Sequence, residues 1–328
     1  MRMTSTFILP PSSFRLPISG TSGLAAMSRP DRSRDRELVS PEDTAAMTVT
    51  HGCVLDHSPP SVDVAMLMGM ERAVSNAVIP VSIRPLALPA EHGGWGFVLE
   101  PVALALLVAP SWAGIAIGIA VVAAFLARHS LRLAAGDWMR RRRFPRTAVC
   151  EQLVLIYSTA MLLAIATAMA LTSARILVPF AIAAPSGLAQ FAWELRKRGR
   201  ALTPEILGAA AAGATAAAIA LAGGRTMTLA STLWILTMLR SIPAIVFVRA
   251  VLKRGRQSIA VALHVAAFGI AIVLWRQHLA PLAAIVAMLM LLGRALIGPA
   301  RTDPPRRVGI RELFYGAATV VLIGVGWS

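Results

Sequence analysis

The chain has 328 residues, 56% of them hydrophobic, with a net charge of +16 and a mean hydropathy of +0.68. That apolar share exceeds what a water-soluble domain of this length can hide from solvent, which excludes an ordinary soluble globular fold. The basic residues fall between apolar segments rather than on one continuous face, so membrane topology explains the charge and a nucleic-acid partner is not expected. The two cysteines, Cys53 and Cys150, are far apart and match no metal or disulfide spacing. They read as incidental free thiols, one in a tail and one in a cytoplasmic loop.

Residues 1–85 are polar and punctuated by Pro and Ser, and 86–328 are almost continuously apolar. The first apolar piece, Phe7 to Pro11, is too short and too rich in proline for a signal-peptide core. Ser28–Glu42 mixes Arg, Asp, Ser and Pro and cannot bury enough surface to offset its chain entropy. Val62–Ser75 suits a short interfacial helix. Residues 1–85 are therefore expected to be either a disordered extension or the product of a start placed too early, with Met66, Met68 or Met70 as the true first residue.

Crossing about 30 Å of hydrocarbon takes roughly 20 apolar residues. Residues 86–328 supply about nine such segments, near 93–109, 111–128, 151–172, 174–192, 205–222, 229–248, 257–275, 279–297 and 309–327. This predicts an all-α, polytopic transmembrane bundle. The connections within 128–146, 196–200, 249–256 and 294–311 carry twenty Lys or Arg, whereas the intervening turns carry Arg175, Arg225 and Arg276. Short loops rich in Lys and Arg stay in the cytoplasm. The expected setting is a bacterial cytoplasmic (inner) membrane, with the N-terminus inside and the C-terminus outside.

Ionisable groups inside hydrocarbon need partners or water and mark candidate sites. Residues 89–101 read Pro-Ala-Glu-His-Gly-Gly-Trp-Gly-Phe-Val-Leu-Glu-Pro; His92, Gly96 and Glu100 share one helical face, and Glu91 lies in the next row. The second span ends in Arg128-His129-x-x-Arg132, followed by Asp137. Arg240 lies deep in the sixth span, ahead of Pro243, and Arg249 sits nearer the interface. By helical rise Arg240 is about 15 Å and Glu100 about 10 Å from the cytoplasmic end, so the two are expected to pair or to share a water-filled cavity. Glu151 and Glu312 read as helix-end charges, and His264 as a histidine hydrogen-bonded within the bundle.

Pro89-x-Glu91-His92-Gly93-x-Trp95 with Glu100-Pro101, Arg240-Ser241-Ile242-Pro243 with Val248-Arg249, and Glu312-Leu313-Phe314-Tyr315-Gly316 resemble the YwiC-like family of bacterial membrane proteins. That resemblance implies a membrane protein and no particular reaction. At the level of fold the pattern is similar to the membrane prenyltransferases of the UbiA superfamily, which implies nine spans with polar motifs at the ends of the second and sixth. The chain departs from that superfamily where its acidic motifs would hold Mg²⁺ and a prenyl diphosphate. Arginines stand there instead, and a hard cation needs carboxylate oxygens.

These features lead to one functional expectation. Glu91, His92, Glu100, Arg128, His129, Arg132, Asp137, Arg240 and Arg249 line a cytoplasm-facing polar cavity. Its ligand is anionic, lipid-like and phosphate-bearing, and no metal is involved. Two other readings stay open: a small-anion transporter, and a non-catalytic assembly partner in the bilayer. Cofactor and reaction are not readable.

Overall fold

A computed structural model describes residues 82–89, 92–196, 198–252, 255–298 and 304–327. The expectations for 1–81 lie outside the described residues. Among the described residues, one short helix, α1 (Arg84–Ala87), precedes nine longer ones. These are α2 (His92–Val108), α3 (Trp112–Met139), α4 (Pro145–Leu171), α5 (Val178–Leu195), α6 (Leu202–Ala222), α7 (Met227–Val251), α8 (Gln257–Arg276), α9 (Leu282–Ile297) and α10 (Pro305–Val325). A 3-10 turn, Ala174–Leu177, leads into α5. No strand occurs among the described residues.

Among the described residues, seven helices are long and apolar enough to cross a membrane, and α9 and the Gly94–Val108 part of α2 are shorter apolar helices. The chain is thus an all-α, multi-pass membrane protein. Hydrocarbon leaves the backbone no hydrogen-bond partner except itself, which is why every apolar segment is helical.

Two expected spans prove longer than hydropathy indicated. Hydropathy and charge suggest a basic connection between 128 and 151, but α3 continues to Met139 and α4 begins at Pro145. A helix of 28 residues is about 42 Å long and outreaches a layer of about 30 Å. The basic ends of α3 and α4 therefore project as a helical hairpin. Cys150 belongs to α4 and is fully buried, against the loop position expected for it.

α6 and α7 form the centre, with α2 packed on both. α6 can occupy that place because it is built of small residues: Ala214, Ala216, Ala217, Ala218 and Ala220 are all buried. Small side chains let helices approach closely where no hydrophobic force drives them together. A Cβ on Gly213 would stand 2.8 Å from side-chain atoms of Trp234 and Thr237, so α7 rests on bare α6 backbone. Trp234 Nε1 donates to the Ala210 carbonyl across that contact at 2.8 Å. α8, α9 and α10 continue round α7, and α10 closes back onto α2. α4 packs chiefly on α3 and exposes Leu155, Ile156, Leu162 and Leu163, as a hydrocarbon-facing helix does.

The ends of α3, α5, α7 and α9 and the starts of α4, α6, α8 and α10 meet at one end of the bundle, where most of the arginines are. Contacts tie these termini together: Arg128 to Glu194, Arg249 to Glu205, and Gln257 Nε2 to the Ala295 carbonyl at 2.7 Å. At the opposite end Ser111 Oγ accepts from Gly114 N and caps α3, and Thr226 caps α7. α9 terminates on the basic side at Gly298, whose φ of +66° suits a residue without Cβ.

Candidate functional site

The deepest charges form one connected group across five helices. On α7, Arg240 lies 11 residues before the helix end, about 16 Å below the basic surface. Its Nη2 donates to Glu100 Oε1 on α2 at 3.4 Å and to the backbone carbonyl of Glu312 on α10 at 2.9 Å. Its Nη1 stands 3.6 Å from Glu312 Oε2. The pairing of Arg240 with Glu100 is the contact the sequence suggested.

Glu100 fits there because of Gly316. A Cβ at that position would come within 1.8 Å of Glu100 Oε1 and 3.0 Å of Arg240 Nη2. The glycine of the Glu312-Leu313-Phe314-Tyr315-Gly316 run thus clears the volume that the carboxylate fills. Pro243 sits inside α7, which stays helical through it.

Above this pair lies Arg294 of α9. Its Nη1 donates to both oxygens of Glu312. The guanidinium stacks 4.3 Å from the Phe247 ring centroid and 5.1 Å from that of Tyr315. Aromatic faces attract a cation most where water is excluded. Arg294 Nη2 also contacts His264 Nε2 at 2.9 Å, and His264 Nδ1 lies 2.7 Å from the Ala260 carbonyl. A carbonyl only accepts and a guanidinium only donates. The proton of His264 is therefore on Nδ1, Nε2 accepts from Arg294, and the imidazole is neutral. Two guanidiniums, two carboxyl groups and a neutral imidazole make up this core.

Not every donor is used. Arg240 Nε and Arg294 Nε are buried with no hydrogen-bond partner among the described residues. Such atoms are uncommon, since each forgoes a bond that water would have supplied. Arg294 also lines a cavity of about 60 Å³ with Phe247, Ile297, Val308, Arg311, Glu312 and Tyr315. The cavity lies where α9 ends and α10 begins, on the basic side. A smaller void of about 10 Å³ borders Glu100, Thr237, Arg240, Ser241 and Thr319 at mid-depth.

The remaining residues singled out from the sequence occupy other clusters. Arg128 forms an ion pair with Glu194, which also accepts from Gln190 Nε2 at 3.3 Å. Arg128 lies 5.4 Å from the Phe125 ring centroid, and Trp95 meets the same ring edge-on. His129 Nε2 donates to the Pro85 carbonyl at 3.1 Å and Arg132 contacts His129 Nδ1. Ser130 Oγ and Tyr157 take the carbonyls of Leu86 and Ala87. Together they pin α1 to the α3–α4 hairpin, just ahead of α2. Asp137 holds Arg146 through two bonds, 2.7 and 3.1 Å, and accepts from Thr147 at 2.9 Å. Arg249 pairs with Glu205 at 2.9 Å. Glu91 and the side chain of His92 lie outside the described residues.

Sequence reasoning missed Arg294 and Glu312. By charge alone Arg294 groups with the basic connection, yet it lies buried within the helix that ends at Ile297. Glu312 was read as a helix-end charge, but α10 starts at Pro305 and places it two turns inside.

Comparison with curated proteins and with solved structures finds no match. Glu100, Arg128, Asp137 and Glu194 fall within the stretch that a protein-family model covers, whereas Arg240, Arg294 and Glu312 lie beyond it. Residues 88–220, from Leu88 ahead of α2 to Ala220 near the end of α6, match the family described as YwiC-like protein.

Proposed function

We propose that the protein sits in a bacterial cytoplasmic membrane with its basic end facing the cytoplasm, and that its cavity there binds an anionic, phosphate-bearing lipid headgroup. The observation that carries this reading is Arg294. It lines the cavity, is fixed by two aromatic rings, and keeps a buried Nε without a partner. A guanidinium offers phosphate oxygens a flat fork of donors. Arg311 adds a second cation to the cavity wall.

Depth supports a lipid rather than a water-borne ligand. Arg294 lies three residues from the end of α9, about 5 Å inside it, close to the basic end of the bundle. Phe247, Ile297 and Val308 supply an apolar wall, and Ile297 and Phe314 are exposed beside it for acyl chains. Charge placement supports the orientation, since arginine-rich short loops are held on the cytoplasmic side. Glu100 and Arg240 border the smaller void instead, and reach this site through Glu312. Arg128, His129, Arg132, Asp137 and Arg249 act in holding helix ends together, and Glu91 and His92 remain candidates for the rim.

Native mass spectrometry of protein extracted from phosphatidylglycerol-containing membranes tests this. Wild type retains phosphatidylglycerol, and Arg311→Gln loses it while its melting temperature stays near wild type. Equal retention by the two contradicts the site. A second reading, passage of a small anion, is favoured by the mid-depth void beside Arg240. It predicts anion flux in proteoliposomes that Thr237→Leu blocks.

A further inference from the structure

The void at mid-depth lies apart from the cavity at Arg294, so what it binds does not depend on the headgroup reading. It measures about 10 Å³ and lies among α2, α7 and α10, where Glu100, Thr237, Arg240, Ser241 and Thr319 supply the polar part of its wall. The rest of the wall is apolar.

The polar groups on that wall are unevenly satisfied. Thr237 Oγ1 donates its only proton to the Trp234 carbonyl at 2.7 Å, and Thr319 Oγ1 donates its own to the Tyr315 carbonyl at 2.8 Å. Both hydroxyl oxygens can still accept. Glu100 receives one bond from Arg240, long at 3.4 Å, and its carboxyl oxygens have room for more. Ser241 is buried, and its hydroxyl makes no hydrogen bond among the described residues. On the donor side Arg240 is 6% exposed, and its Nε is buried without a partner among the described residues. Unused donors and unused acceptors thus meet around one small space. Hydrocarbon can supply partners for neither. A buried polar group left unpaired costs more than a typical hydrogen bond gains.

Water matches this wall in size and in chemistry. A space of about 10–15 Å³ is the least that holds one molecule, and two to four polar partners retain it. We infer that the void binds one ordered water molecule, which accepts from the Arg240 guanidinium and donates to the Glu100 carboxyl and to a threonine hydroxyl oxygen. The water joins α2, α7 and α10 at the depth where Arg240 already links them. An anion fits less well. Oxygens of Glu100, Thr237 and Thr319 whose remaining capacity is to accept would face it, and chloride is already larger than water.

X-ray diffraction from crystals grown with bromide in place of chloride tests this, at a resolution that shows ordered water. The expected map has one peak in the void, within hydrogen-bond reach of Arg240 and Glu100, and no anomalous signal there. An anomalous peak would put in the void the anion that the second reading above requires, and no peak at all would make the void dry. Either result overturns the inference. Thermal unfolding of Ser241→Ala gives an independent answer, and the change is too small to threaten the fold. With water bound, losing one of its neighbours lowers the melting temperature. In a dry void the same change removes a buried hydroxyl that has no partner, so an unchanged or raised melting temperature overturns the bound water.

Discussion

Two arginine–carboxylate clusters in this protein use the same chemistry at different depths. In the α3–α4 hairpin, Asp137 is buried but its partner Arg146 keeps 44% of its side chain in solvent. In the α2–α7–α10 cluster, Arg240 and Glu100 are 7% and 16% exposed. The hairpin clasp can exchange its partner for water, so its loss costs a hydrogen-bonded charge pair and little more. The deep cluster has no such substitute. Breaking it strands a charge, which is much more damaging than the pair is stabilising. Depth, more than bond length, separates a clasp from a site: both hold charge-assisted bonds, but the deep cluster has the unused donors and the cavity.

The comparison is tested most severely at Arg240. Arg240→Leu leaves Glu100 without a cation and is expected to lower stability by about 3–5 kcal/mol, read by unfolding in mixed SDS micelles. Adding Glu100→Gln to that variant should restore most of the loss, because the stranded charge is gone. No recovery would mean that Arg240 acts by packing alone.

Gly316→Ala comes next. The added methyl group displaces the Glu100 carboxylate, with an expected cost of about 2–3 kcal/mol from crowding and a weakened ion pair. Asp137→Asn is expected to cost about 1–2 kcal/mol, since amide-to-arginine bonds replace charge-assisted ones and solvent already screens Arg146. Equal losses for Gly316→Ala and Asp137→Asn would erase the distinction by depth. Arg249→Gln is the smallest expected change, below about 1 kcal/mol, because Arg249 and Glu205 keep 21% and 32% of their side chains in solvent.

How much of this was legible in the sequence also divides by depth. Glu100 and Arg240 stand out because each interrupts an apolar run far from its ends, and helical rise alone puts them at similar levels. The bundle of apolar helices was legible for the same reason: long hydrophobic segments have few other solutions. Arg294 and Glu312 were hidden by boundaries. Moving the start of α10 from 309 to Pro305 turns Glu312 from a helix-end charge into an interior one. Recognising Arg294 as its partner also requires knowing that α9 packs on α10, which hydropathy does not encode. Asp137 stands out in the sequence, but its partner does not. The basic run around it looked like loop, and only the helical extension of α3 and α4 brings Arg146 onto it.

A cryo-electron microscopy map of the protein in phosphatidylglycerol nanodiscs tests the central claim most directly. The account predicts headgroup density within hydrogen-bond reach of Arg294, at the side lined by Arg311, above an intact contact between Arg240 and Glu100. A cavity filled only by acyl chain, or an Arg294 side chain turned out toward the lipid, would contradict it.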